Sequence, residues 1–127
     1  MADVLLDASA VLARLFREPG AERVAASLPG ALVSAVNYAE VVGKLIDFRT
    51  PVEAAAVVAS DLGLVVAPFE ASDAAEAGLL RAVTRPLGLS LGDRACLALA
   101  RRLDLPVLTA DRAWVELDLG VEVVLIR

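Results

Sequence analysis

Whatever chemistry this sequence can perform rests on four acidic residues, Asp7, Glu40, Asp93 and Asp111. The chain contains no His, which excludes a Ser-His-Asp triad, a Cys-His dyad and His-ligated zinc. Cys96 is the only cysteine, so the chain forms no internal disulfide and no thiolate cluster. Its place inside an apolar helical run reads as a buried, inert thiol. No Gly-rich phosphate loop occurs. Carboxylates remain. Gathered together they repel one another, and their pKa values rise unless a cation neutralises them. An all-oxygen ligand set selects a hard divalent ion, Mg²⁺ or Mn²⁺. Such a site suits phosphodiester hydrolysis, in which the ion activates and orients a water and stabilises charge on the scissile phosphate.

Each acid also has a plainer use. Asp7 can cap the helix that follows it, and Asp111 the short helix through Trp114. Glu40 stands four residues before Lys44, the favourable order for a helical surface pair. Asp93 completes Ser90-Leu91-Gly92-Asp93, a loose capping box. Position is the reason to read the four together. Asp7 and Asp111 lie just past strand ends, Glu40 is on the helix after the second strand, and Asp93 opens the helix before the fourth. If strands one and four are neighbours at a switch point, all four acids converge at one sheet edge, where open α/β sheets bind ligands.

The elements that would achieve this follow from pattern. Val4-Leu5-Leu6 is a short buried strand ending on Asp7, and a helix over Ser9–Arg17 stops at Pro19-Gly20. Further elements are expected over Ala21–Leu28 (helix), Ala31–Ser34 (strand), Val36–Phe48 (helix) and Val52–Leu62 (helix). Thr50-Pro51 reads as the start of the last of these and Gly63 as its stop. The remainder reads as strand Leu64–Ala67, a helix from Ser72 or Asp73 to Val83, helix Ser90–Leu103, and strands Val107–Thr109 and Val121–Ile126. Strands that are apolar throughout, alternating with helices, predict a single α/β domain over 1–127 with a parallel sheet of four to five strands between helical layers.

Composition sets the outer bounds. The hydrophobic fraction is high, but no apolar run reaches the roughly 18–20 residues of a membrane span. The N-terminus lacks the features of a signal peptide, so a soluble cytoplasmic protein is expected. A net charge of −5 argues against holding nucleic acid by bulk electrostatics, yet leaves room for a polyanion bridged by a cation. The basic residues are eleven Arg and one Lys, a bias toward the side chain that binds phosphate or carboxylate in a fork.

Four segments in order, Val4–Ala10, Ser34–Val41, Leu89–Ala100 and Val107–Trp114, resemble PIN-domain ribonucleases, specifically the VapC-type toxins of VapBC toxin–antitoxin pairs. The resemblance spans nearly the whole chain and implies a three-layer α/β/α PIN-like fold. It maps Asp7, Glu40, Asp93 and Asp111 onto the family's acidic metal site, and Thr109 onto the small hydroxyl residue that supports it. It further implies Mg²⁺- or Mn²⁺-dependent cleavage of RNA (tRNA or rRNA), a homodimer, and inhibition by a cognate antitoxin; the lack of a long apolar run separately predicts no membrane partner. The faces of Ser9–Arg17 and Ala21–Leu28, with Leu12 and Phe16, are the expected antitoxin surface. Arg94 and Arg112 each follow an acid of the set and are candidate phosphate contacts. Asp118 reads as a surface residue, Trp114 as a core or loop anchor, and Arg101-Arg102 as complements to a helix C-terminus.

Two other readings compete. A haloacid-dehalogenase-like phosphatase needs a second Asp where this chain has Ser9. That enzyme and a receiver domain both use a Lys at a later strand end, whereas Lys44 lies within a helix. A non-catalytic PIN-like binding or regulatory module would use the acids only as caps and pairs.

Overall fold

A computed structural model describes residues 3–127; the first two residues of the expected 1–127 domain lie outside it. Five strands, β1 (Val4–Leu6), β2 (Ala31–Ser34), β3 (Val65–Ala67), β4 (Val107–Thr109) and β5 (Val123–Leu125), form one all-parallel sheet in the order β3-β2-β1-β4-β5. Alternation explains why the central strands are apolar at every position. In β1, Val4 and Leu6 join one core cluster and Leu5 the other; Val33 and Leu32, and Leu108 and Val107, divide the same way. Each face is covered by helices, so neither side of a central strand meets water.

One face carries α1 (Ala8–Leu15), α2 (Ala21–Ser27), α3 (Ala35–Asp47) and α4 (Val52–Ser60), packed through Val11, Val24, Val41, Leu45 and Ala55. The other carries α5 (Ala71–Leu79), the one-turn α6 (Arg81–Thr84) and α7 (Leu91–Leu103), packed through Ala77, Leu80, Leu97 and Trp114. This is the expected three-layer α/β/α fold. Trp114 is fully buried in the second cluster as an anchor, and Cys96 is buried beside it. Asp118 is exposed. No helix among the described residues is long and apolar enough to cross a membrane.

Several element ends differ from expectation for local reasons. Asp7 caps α1, so that helix starts at Ala8. Thr50 is not the cap of α4; Pro51 takes that position, without a side-chain bond, and the helix starts at Val52. The expected helix through Val83 is broken at Leu80 into α5 and α6, and Asp73 lies inside its first turn. Arg102 does not simply face its helix end. Its Nε donates to the buried Asp73 at 2.8 Å, tying α7 to α5.

Candidate functional site

Order reverses between β1 and β4, because the connection from β1 leads toward β2 on one side while β4 is added on the other. Asp7 leaves the sheet at this switch point, its backbone N–H still bonded to the Leu108 carbonyl of β4 at 3.2 Å. Its carboxylate is buried and accepts three hydrogen bonds. Ser9 Oγ donates to Oδ1 at 2.7 Å, the Ala10 N–H to the same oxygen at 2.9 Å, and Thr109 Oγ1 to Oδ2 at 2.6 Å. Each hydroxyl has one proton and both are given to Asp7, so the 3.3 Å approach of Ser9 Oγ to Thr109 Oγ1 is proximity only. As acceptors the two oxygens reach onward: Ser9 takes the Ala110 N–H and Thr109 the Asp111 N–H. Two hydroxyls thus splice the β1 exit to the β4 exit.

Burial pushes the Asp7 carboxyl up to about 6. The Thr109 and Ser9 hydroxyls and the Ala10 N–H pull it down, and the Asp93 charge adds a smaller push upward. The Cys96 thiol, one turn into α7 from Asp93, is raised by burial and then by Asp7, Asp93 and Glu40 together. It is a neutral, buried group.

The other acids sit toward solvent. Asp93 Oδ2 accepts the Ser90 N–H at 2.9 Å while Ser90 Oγ accepts the Asp93 N–H, completing the capping box of α7. Asp111 Oδ1 caps the 3₁₀ turn Arg112–Glu116 through the Ala113 N–H. Both capping expectations are met, and each bond uses one carboxylate oxygen, leaving the second directed elsewhere. Glu40 makes no pair with Lys44 among the described residues. Its Oε1 accepts from Asn37 Nδ2 at 2.8 Å, and its carboxylate lies over Gly92, where an added Cβ would overlap it. A path of contacts therefore runs from Asp111 through Thr109 to Asp7, and from Asp93 across Gly92 to Glu40. As they stand, no three acidic groups among the described residues are close enough to cage an ion.

The two arginines separate. Arg112 is exposed beside Asp111. Arg94 is not available as a phosphate contact: it is buried, and its NH1 donates to the Ala77 carbonyl of α5 at 2.9 Å. One residue along a helix is a turn of about 100°, which carries position 94 away from the sheet edge that Asp93 faces. Two contributors lie inside the segments Val4–Ala10 and Ser34–Val41 without a role assigned to them there, Ser9 as a donor to Asp7 and Asn37 as a donor to Glu40. A polar residue on the buried side of an apolar helix, three before an acid, is the signal for Asn37.

A family model of the PIN domain matches residues 4–119. The chain belongs to the PIN-domain family. No curated protein matches it. Among solved structures, this PIN domain is similar to a DNA-bound VapBC from Salmonella typhimurium, with TM-score 0.80 and 20% identity over 100% of both chains. It is similar to a toxin–antitoxin complex from Klebsiella pneumoniae, with TM-score 0.74 and 20% identity over 98% of both chains. It also resembles Mycobacterium tuberculosis VapC20, a sarcin-ricin loop cleaving toxin, with TM-score 0.69 and 19% identity over 85% of this chain and 88% of that one. At such identities the PIN fold is what is shared.

Proposed function

We propose that this PIN domain is a metal-dependent endoribonuclease, the toxin of a VapBC-type pair. The observation that carries the reading is Asp7, a carboxylate buried at the switch point of the sheet and pushed up to about 6, mainly by burial and in small part by the Asp93 charge. Ionising such a buried carboxyl costs free energy, a cost that a bound cation would remove. The donor set fits a hard ion: Asp7, Glu40, Asp93 and Asp111 offer oxygen only, and the half-buried or exposed positions of the last three let their side chains turn inward. When bound, Mg²⁺ or Mn²⁺ would activate a water for attack on a phosphodiester and neutralise charge at the phosphate. The chain's own part is placement. Ser9, Ala10 and Thr109 hold Asp7 in one rotamer, Ser90 holds Asp93, and exposed Arg112 is poised for a substrate phosphate.

The solved structures that this chain resembles include VapBC complexes and a sarcin-ricin loop cleaving toxin, which supports an RNA substrate (tRNA or rRNA) and an antitoxin partner. We take the antitoxin to dock on a shallow groove of about 210 Å³ beside α1, lined by Leu12, Phe16, Lys44 and Phe48. The Phe16 and Phe48 rings lie 4.8 Å apart there. Leu12→Asp with Phe16→Asp should abolish antitoxin capture in a protein whose circular dichroism is unchanged; retained capture would remove this surface from consideration. A homodimer and action in the cytoplasm complete the proposal.

The deciding experiment incubates wild type and Asp7→Asn with total cellular RNA, with and without Mn²⁺ or Mg²⁺, and maps new 5′ ends. Metal-dependent cuts made only by wild type are expected and would name the target. Equal cutting by both proteins, or none by either, would count against the reading.

A further inference from the structure

We propose that Asn37 is the positioning residue for Glu40, clasping it against Gly92 beside Asp93; this rests on the metal-nuclease reading above. Asn37 is 1% exposed and sits on α3 one turn before Glu40. Its Nδ2 donates to Glu40 Oε1 at 2.8 Å and to the Gly92 carbonyl of α7 at 3.1 Å. Both neighbours are acceptors, so only the NH₂ group can face them and the orientation of the amide is forced. Both amide hydrogens are then used, and Oδ1 is left buried without a donor among the described residues.

That orphan oxygen argues against a purely structural role. A buried acceptor left unmade destabilises the fold, whereas an apolar side chain of the same volume would avoid that cost. What the Asn supplies instead is a fixed relation between two acids on different helices. Glu40 is exposed and its long side chain would otherwise spread over many rotamers. One bond from Asn37 selects a rotamer, and the other ties that rotamer to the first turn of α7, one residue before Asp93. Gly92 completes the arrangement by absence, since any side chain there would occupy the place of the Glu40 carboxylate.

The test compares Mn²⁺ affinity, read by electron paramagnetic resonance of free Mn²⁺, with urea stability in EDTA. Asn37→Leu should weaken Mn²⁺ binding about tenfold or more, the range seen when a group that orients a ligand is removed. The metal-free fold should be as stable as wild type or more so. In a Glu40→Gln background, Asn37→Leu should change Mn²⁺ affinity no further, because its action runs through Glu40. If Asn37→Leu does not fold, Asn37→Ala carries the same comparison, removing both donors without adding a charge or a competing ligand. Unchanged affinity in the single variant, or the same loss with Glu40 already replaced, overturns the inference alone. Wild type that binds no Mn²⁺ overturns the metal-site reading and this inference with it.

Discussion

The floor and the rim of the site are built on opposite principles. At the floor, Asp7 is buried and every polar neighbour is committed to it: two hydroxyl protons, one backbone N–H and, through those hydroxyls, two further N–H groups of the β4 exit. At the rim, Asp93 and Asp111 each spend one oxygen on a helical cap, and Glu40 is held by a single amide. The floor is thus expensive to charge and costly to disturb, while the rim is solvated and adjustable. A site made this way can keep one fixed reference oxygen pair and let the remaining ligands close around whatever arrives.

Replacing Asp7 should separate the two regions most sharply. Asp7→Asn keeps the cap of α1 and should lower RNA cleavage on the order of 10²–10³-fold, the scale for removing a preorganised electrostatic group from a reacting centre. Stability should move the other way. The native Asp7 holds its proton up to about 6, against an ordinary 3.8, so between those values the fold binds more protons than the unfolded chain. Wild-type stability therefore falls as pH rises through that window and is flat on this account above it, a loss on the order of 2–3 kcal/mol. Urea midpoints in EDTA should show Asp7→Asn matching wild type near pH 4 and exceeding it at pH 7. A variant less stable at pH 7 would mean that Asp7 is a structural carboxylate.

Thr109→Val attacks the splice between the strand exits. It strands Asp7 Oδ2 and the Asp111 N–H together, so about 1–3 kcal/mol of stability should be lost. The Thr109 bond lowers the Asp7 pKa, so its loss should also move the acid limb of the pH–activity profile upward. At the rim, Asp111→Asn keeps the cap and should alter stability by no more than about 0.5 kcal/mol while still reducing cleavage. A stability loss there as large as at Thr109 would erase the distinction. The smallest effect belongs to Arg112→Ala: a few-fold rise in KM that shrinks with salt, kcat unchanged, as expected for one exposed phosphate contact.

Part of the site is legible in the sequence. Asp7 shows itself because Val4–Leu6 is apolar throughout and then stops at an acid, and a strand covered on both faces can stop that way only at an end of the sheet. The capping roles of Asp93 and Asp111 are local, set within three residues, and so are readable from neighbours alone. The break at Leu80 is only weakly marked: Gly78 lies two residues before it, and a lone glycine inside a helical pattern does not by itself end a helix.

What the sequence determined by itself was the element order, the all-oxygen character of the acid set and the family to which its segments point, since these depend on residue type and short-range spacing. What only the tertiary structure decided was the direction of side chains that meet across the chain. Arg94 and Asp93 are neighbours in sequence, yet a helical rotation of about 100° sends one into α5 and leaves the other at the sheet edge. Asn37 reaches the Gly92 carbonyl 55 residues on, Ser9 accepts from Ala110 101 residues on, and Thr109 donates to Asp7 102 residues back. No local pattern encodes such a meeting, because the sheet order that brings the segments together is fixed by the packing of both cores at once.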